Sequence, residues 1–300
     1  MDKKIPGADA RPSKIFLTLT SHSDLMDLPN QIVAEIAPLA WTWGFSFAFM
    51  TALELLLGRG QQKFASRLPG LIFWVLWLLV SQLVYAGFHA LWAEIGIRPL
   101  IVLPLEFTWL GAAAVIATPV ASAAVYDFFF YWCHRAEHRW LWRFHAVHHS
   151  IRDMNAVNAF HHITEPIFQT LLILLPASLI VSKTGPVATL MVLLLYFQAS
   201  FIHSPARLHL GPARALFVDN RFHRIHHSLE ERHFDHNFGA FTTIWDRLFG
   251  TAHFPAAAEW PDVGLAEIDQ PRTVGEWLNL PWRYGRQAGS HLSDAVAHHG

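Results

Sequence analysis

A single cysteine, Cys133, in 300 residues excludes an intramolecular disulfide and any site built on several thiolates, iron–sulfur clusters included. Charge is scarce: Asp, Glu, Lys and Arg make up 15% of the chain, against about 25% in a typical soluble domain. The formal net charge is -1, so no basic excess can neutralise a phosphate backbone, and nucleic acid is excluded as a partner. There is no glycine-rich phosphate loop and no internal repeat. In place of charge the chain has apolar residues, 53% of the total, with 13 tryptophans of the kind that settle at membrane–water interfaces. It also has 20 histidines, nearly as many as the 22 lysines and arginines.

The apolar residues come in long runs. Ala37 to Leu57 contains one charge, Glu54, and Leu68 to Ala93 contains none. Pro99 to Trp132 carries only Glu106 and Asp127, and Pro166 to Ile202 only Lys183, in the turn-like Lys183-Thr184-Gly185-Pro186. A bilayer core needs about 20 apolar residues per helix. The first two runs fit one span each, and the fourth reads as two shorter arms about its turn. Pro99 to Trp132, read as one helix, is about 51 Å long and projects past the bilayer. The expected fold is all-α: a multi-pass transmembrane bundle of about four spans, or spans plus a hairpin, with a cytosolic histidine-rich helical cap. Residues 1–36 read as a polar N-terminal segment without a cleavable signal peptide. Residues 37–285 read as one membrane-embedded domain, and 286–300 as a loose tail.

Histidine is concentrated in two polar blocks, 134–165 and 203–254. His134 and His138 form HxxxH; His145, His148 and His149 form HxxHH; His223, His226 and His227 form a second HxxHH. Residues three and four apart share a helix face, so their imidazoles can converge on one metal centre. Imidazole suits iron, zinc, copper and nickel rather than magnesium or calcium. Eight histidines exceed the ligands of one ion and fit two, although spacing does not separate iron from zinc. Asp127, Tyr131, His134 and His138 fall on one stripe of a continuing helix, where Asp127 is placed to accept a proton from a metal-bound imidazole. Glu137 and Glu165 read equally as partners of such histidines or as solvated carboxylates.

These motifs, set among apolar spans, resemble the fatty acid hydroxylase/sterol desaturase superfamily of membrane di-iron oxygenases. The resemblance runs from about Val125 to Thr251. It includes Tyr131-Trp132-Cys133-His134-Arg135 and the closing Trp245-Asp246-Arg247-Leu248-Phe249-Gly250-Thr251, similar to the family's WDxLFGT. It implies two iron ions, O₂ as co-substrate, and hydroxylation or desaturation of a sterol, fatty acyl or related lipid. It implies His134, His138, His145, His148, His149, His223, His226 and His227 as ligands, with His203 a further candidate. His162 lies in Phe160-His161-His162-Ile163-Thr164-Glu165, an imperfect match to a family segment written RFHPLE. With no haem-binding HPGG segment in the chain, the implied electron donor is a separate protein, a ferredoxin or cytochrome b5 type with its reductase. Arg135, Arg139, Arg143 and Arg152 favour a cytoplasmic face for the histidines. The implied location is integral to a membrane: the plasma or inner membrane of a bacterium, the endoplasmic reticulum of a eukaryote. A zinc-dependent membrane hydrolase is the alternative, but HExxH is absent. A histidine-rich metal transporter is another, but its spans would carry ionisable residues.

Overall fold

A computed structural model describes residues 28–57, 64–96, 99–101, 107–180, 187–206, 208 and 210–284. The expected N-terminal segment lies outside these up to residue 27, and the expected tail lies outside them altogether. Helices α1 (Leu28–Leu57), α2 (Leu68–Ile95) and α3 (Ala114–Trp140) are followed by the short α4 (Trp142–His149). Then come α5 (Glu165–Ser178), α6 (Val187–Ile202), α7 (Asn220–His226) and α8 (Ile244–Leu248). No strand occurs among the described residues, only two isolated antiparallel bridges, Phe217 with Thr242 and Ser228 with Val263.

Three helical stretches are long and apolar enough to cross a membrane: Ala40–Leu57, Phe64–Ile95 and Thr108–Trp140. Their outward side chains are apolar, with Leu83 and Leu56 largely exposed, as lipid-facing surface requires. α2 carries Pro69 in its first turn, where the missing N–H costs nothing, and stops at Gly96 in the left-handed conformation. α3 packs along α6, α1 also along α6, and α2 along α5.

One sequence expectation needs correction, and the short arms of the fourth run are found as expected. Pro99 to Trp132 is not one helix: Gly111 has φ 56° and ψ -129°, which breaks the segment, and the regular helix begins at Ala114. It continues to Trp140, so His134 and His138 belong to the helix itself. The arms of the fourth run, α5 and the apolar part of α6 (Leu190–Ile202), are each shorter than 18 residues, and α5 contains a π-turn at Thr170–Leu174. The turn around Lys183 lies outside the described residues.

The chain between α4 and α5 is pinned to the ends of α1 and α2. Buried Arg67 pairs with buried Glu54, whose other oxygen accepts the Ala156 N–H at 2.9 Å. Trp74 donates to the Val157 carbonyl, and α2 approaches there through Gly70, where a Cβ would stand 2.7 Å from the same oxygen. A buried charge without its partner is costly, so the pair fixes this loop in one place. That loop joins His149 to His161.

Candidate metal centre

The three histidine motifs meet at the end of α3 and sort into two sets. His134, His138, His145, His149 and His226 bring five ligand nitrogens within 4.8 Å of one another, and His148, His203, His223 and His227 do the same with four. Each HxxHH is divided between the sets. On α4, His145 and His149 go to the first set and His148 to the second; on α7, His223 and His227 go to the second and His226 to the first. Positions i and i+4 are offset by about 40°, while i+3 and i+4 differ by about 100°. One helix therefore serves two centres. His203 follows directly on α6 and joins the second set, tied to α7 by Asn220 Nδ2 donating to the Ser204 carbonyl.

The hydrogen bonds fix which ring nitrogen faces inward. His134 Nδ1 donates to the Phe238 carbonyl at 2.7 Å, His226 Nδ1 to His236 at 2.7 Å, His148 Nδ1 to Phe160 at 3.2 Å and His203 Nδ1 to Ala199 at 2.7 Å. A carbonyl only accepts, so each Nδ1 carries the proton and a neutral ring leaves a lone pair on Nε2. The Nε2 atoms face one another: His134 to His145 at 2.9 Å, His138 to His149 at 3.2 Å, His203 to His148 at 3.2 Å and His223 to His203 at 3.0 Å. His226 Nε2 is buried with no hydrogen-bond partner. Burial first, then repulsion from neighbouring imidazoles, holds His145, His148, His149, His223, His226 and His227 well below the usual histidine pKa, and His203 at about 4. Neutral rings aiming lone pairs at a common point fit a divalent transition metal in each set.

Carboxylates stand behind the rings. Glu137, 2% exposed, has an oxygen 3.2 Å from His145 Nδ1, and Asp235 has one 3.3 Å from His138 Nδ1. Their sequence signal was weak, because a glutamate inside HRAEH looks as surface-like as any other.

Asp127 does not meet a histidine. Its carboxylate accepts the N–H groups of Ala240, Phe241 and Thr242, each at 2.9 Å. Beside it, Asp246 accepts from Phe238, Gly239 and the Thr251 hydroxyl. The two buried carboxylates thus hold the loop whose Phe238 carbonyl orients His134. This explains the closing Trp245-Asp246…Thr251 motif, because its acid and its threonine are both spent on that loop. Tyr131, fully buried, bonds Thr251 through its hydroxyl and likewise stands outside the sets.

His162 is also outside them: its Nδ1 meets Thr164 at 2.9 Å and its Nε2 the Leu278 carbonyl at 3.3 Å. Its neighbour His161 turns inward instead, stacked 3.9 Å from His148 and grouped with His145 and Glu165. A further trio, His233, His253 and Glu259, is already satisfied, since Ser228 bonds His233 and Arg232 reaches Glu259 at 2.7 Å.

The fold and site define a helical protein with spanning-length apolar helices and two adjacent all-histidine sets. The family model described as fatty acid hydroxylase matches residues 119–251, the stretch that holds all nine histidines of the two sets, and this part of the chain is a domain of the fatty acid hydroxylase/sterol desaturase superfamily. The chain is 33% identical over 165 residues to ornithine lipid hydroxylase OlsE of Rhizobium tropici, covering 51% of this chain and 49% of that one. It is 28% identical over 188 residues to alkylglycerol monooxygenase of Danio rerio, covering 62% and 38%. It is 28% identical over 156 residues to very-long-chain aldehyde decarbonylase GL1-6 of Oryza sativa subsp. indica, covering 48% and 24%. The match spans at most about half the length of these relatives. No solved structure matches.

Proposed function

We propose that the chain is an iron-dependent membrane monooxygenase that hydroxylates an unactivated C–H bond of a lipid. The observation that carries this is the inward convergence of histidine Nε2 atoms in two adjacent sets, with the outer nitrogens of His134, His148, His203 and His226 engaged by backbone carbonyls. His134, His138, His145, His149 and His226 would hold one iron, and His148, His203, His223 and His227 the other. The irons, when bound, supply the redox chemistry that turns O₂ against a C–H bond. The chain's own part is positional. Phe238, His236, Phe160 and Ala199 fix ring orientation through their carbonyls, Glu137 braces His145, and Asp127, Asp246 and Tyr131 hold the loop that carries Phe238. Burial of eight of the nine rings keeps water out.

The relatives named above are a hydroxylase, a monooxygenase and a decarbonylase of lipid or long-chain compounds, which supports a lipid substrate and favours hydroxylation over desaturation. Balance requires two electrons and two protons from outside for each O₂, one oxygen entering the lipid and the other leaving as water. A separate one-electron carrier of ferredoxin or cytochrome b5 type would supply them. The spanning-length helices support a multi-pass protein with 37–285 as one membrane-embedded unit. The arginines beside the site favour its cytoplasmic side. Metal analysis of the purified protein tests the reading: close to two irons per chain is expected, and one zinc with no iron would contradict it.

A further inference from the structure

His138 is the one histidine of the two sets that is not buried. Its Nδ1 meets Asp235, whose side chain is 79% exposed, whereas His134, His226, His148 and His203 direct Nδ1 to backbone carbonyls and His145 lies against buried Glu137. The centre therefore comes within two side chains of solvent at this edge. The edge is built rather than frayed. Asp235 sits at φ 58°, in the left-handed region that aspartate tolerates better than most non-glycine residues, and there its carboxylate meets His138 Nδ1. The half-buried Trp142 ring covers the edge, 5.0 Å from His138 and 5.1 Å from His149.

Three arginines lie close to His138 along the chain. Arg135, His138 and Arg139 share a face of α3 at spacings of three and four, and exposed Arg143 follows on α4. Arg135 is held over Trp132 at 5.4 Å and over Phe238 at 5.7 Å, and the Phe238 ring itself packs 5.0 Å from His138. An aromatic ring thus stands between a surface arginine and the first histidine set.

We propose that this collar of Arg135, Arg139 and Arg143 around the His138–Asp235 edge is the docking surface for an acidic one-electron carrier protein, and that electrons enter the centre there. The inference rests on the monooxygenase reading, which needs such a donor. At each docking the reduced carrier gives up one electron and leaves oxidised, and two dockings complete one turnover. Tunnelling rates fall steeply with distance, so the donor must approach where the centre is nearest the surface. Opposite charge steers an acidic carrier to that face.

The test is binding, which is read independently of turnover. Detergent-solubilised full-length protein is titrated with an acidic plant-type [2Fe–2S] ferredoxin at about 50 and about 300 mM salt. Saturable binding is expected that weakens about tenfold or more at the higher salt. Arg139→Glu/Arg143→Glu should weaken it about tenfold at low salt and flatten the salt dependence, while Arg272→Glu, remote from the collar in sequence, should change nothing. Three results would overturn the proposal: no saturable binding by the wild type, equal binding by the double variant, or a double variant that loses only its affinity for anionic phospholipid vesicles. Failure of the monooxygenase reading shows elsewhere, as iron-loaded wild type that oxidises no lipid with dithionite as reductant.

Discussion

His148 and His203 point their Nε2 atoms at each other across 3.2 Å while each gives its Nδ1 proton to a backbone carbonyl. Two buried lone pairs in that arrangement repel unless a cation lies between them, and the same holds at His134, where the inward nitrogen faces His145 at 2.9 Å. The geometry of both sets therefore suits a bound cation.

Two separate sets predict that the ions are lost one at a time. His203→Ala should lower the metal content of the purified protein to about one ion per chain, and so should His145→Ala, each removing a ligand from a different set. His162→Ala should retain both, because its ring is committed to Thr164 and Leu278. Loss of metal in the His162 variant would mean that this segment rearranges on loading.

The histidines themselves were legible in the sequence. Spacings of three and four pick out eight members of the two sets, and the family resemblance pointed to the ninth, His203. Their division was not legible, because it depends on how α4 and α7 face each other across the centre, which no local pattern encodes. Asp127 was misread for a related reason. Its stripe with His134 and His138 is real, but the partner it meets is a loop more than a hundred residues away. Glu137 hid in plain view, since burial, and not residue type, separates it from a solvated glutamate. The apolar runs gave the spanning helices, and the break at Gly111 was lost because one glycine among apolar residues looks harmless.

Low pH should destabilise the metal-free protein. The buried imidazoles titrate below the usual histidine range in the folded chain, His203 at about 4, while in the unfolded chain they titrate near ~6.5. Between those values the unfolded state binds more protons, so the stability present above ~6.5 is lost as pH falls toward 4. Thermal melts of metal-free protein at about pH 7.5 and about pH 5 should show a lower Tm at the acid value. An unchanged Tm would contradict the buried, neutral state of the rings.

Glu137 should tune metal affinity without being a ligand. With its oxygen 3.2 Å from His145 Nδ1, Glu137→Ala is expected to weaken the first-set ion about 10- to 100-fold, read by chelator competition. Glu137→Gln keeps an oxygen acceptor and should recover part of the loss. The second-set ion should be unaffected in both variants.

Asp127→Ala should act through folding. It removes the acceptor of three N–H groups, two of them buried, and each orphaned buried donor costs about 1–3 kcal/mol, so a large fall in Tm is expected before any effect specific to metal. Gly239→Ala should damage the same loop, because its Cβ would stand 2.6 Å from the Thr242 carbonyl and 3.0 Å from Asp246. A variant of either kind that melts like the wild type would show that the loop is not held in this way.

The most direct test of the central claim is the source of the oxygen in the product. Iron-loaded protein is given membrane lipid, a reductant and ¹⁸O₂, and the lipid is analysed by mass spectrometry. One ¹⁸O atom per hydroxylated lipid, with no product under nitrogen, is the result predicted for a monooxygenase at the two histidine sets. A product that forms without O₂, or that takes its oxygen from water, would contradict it.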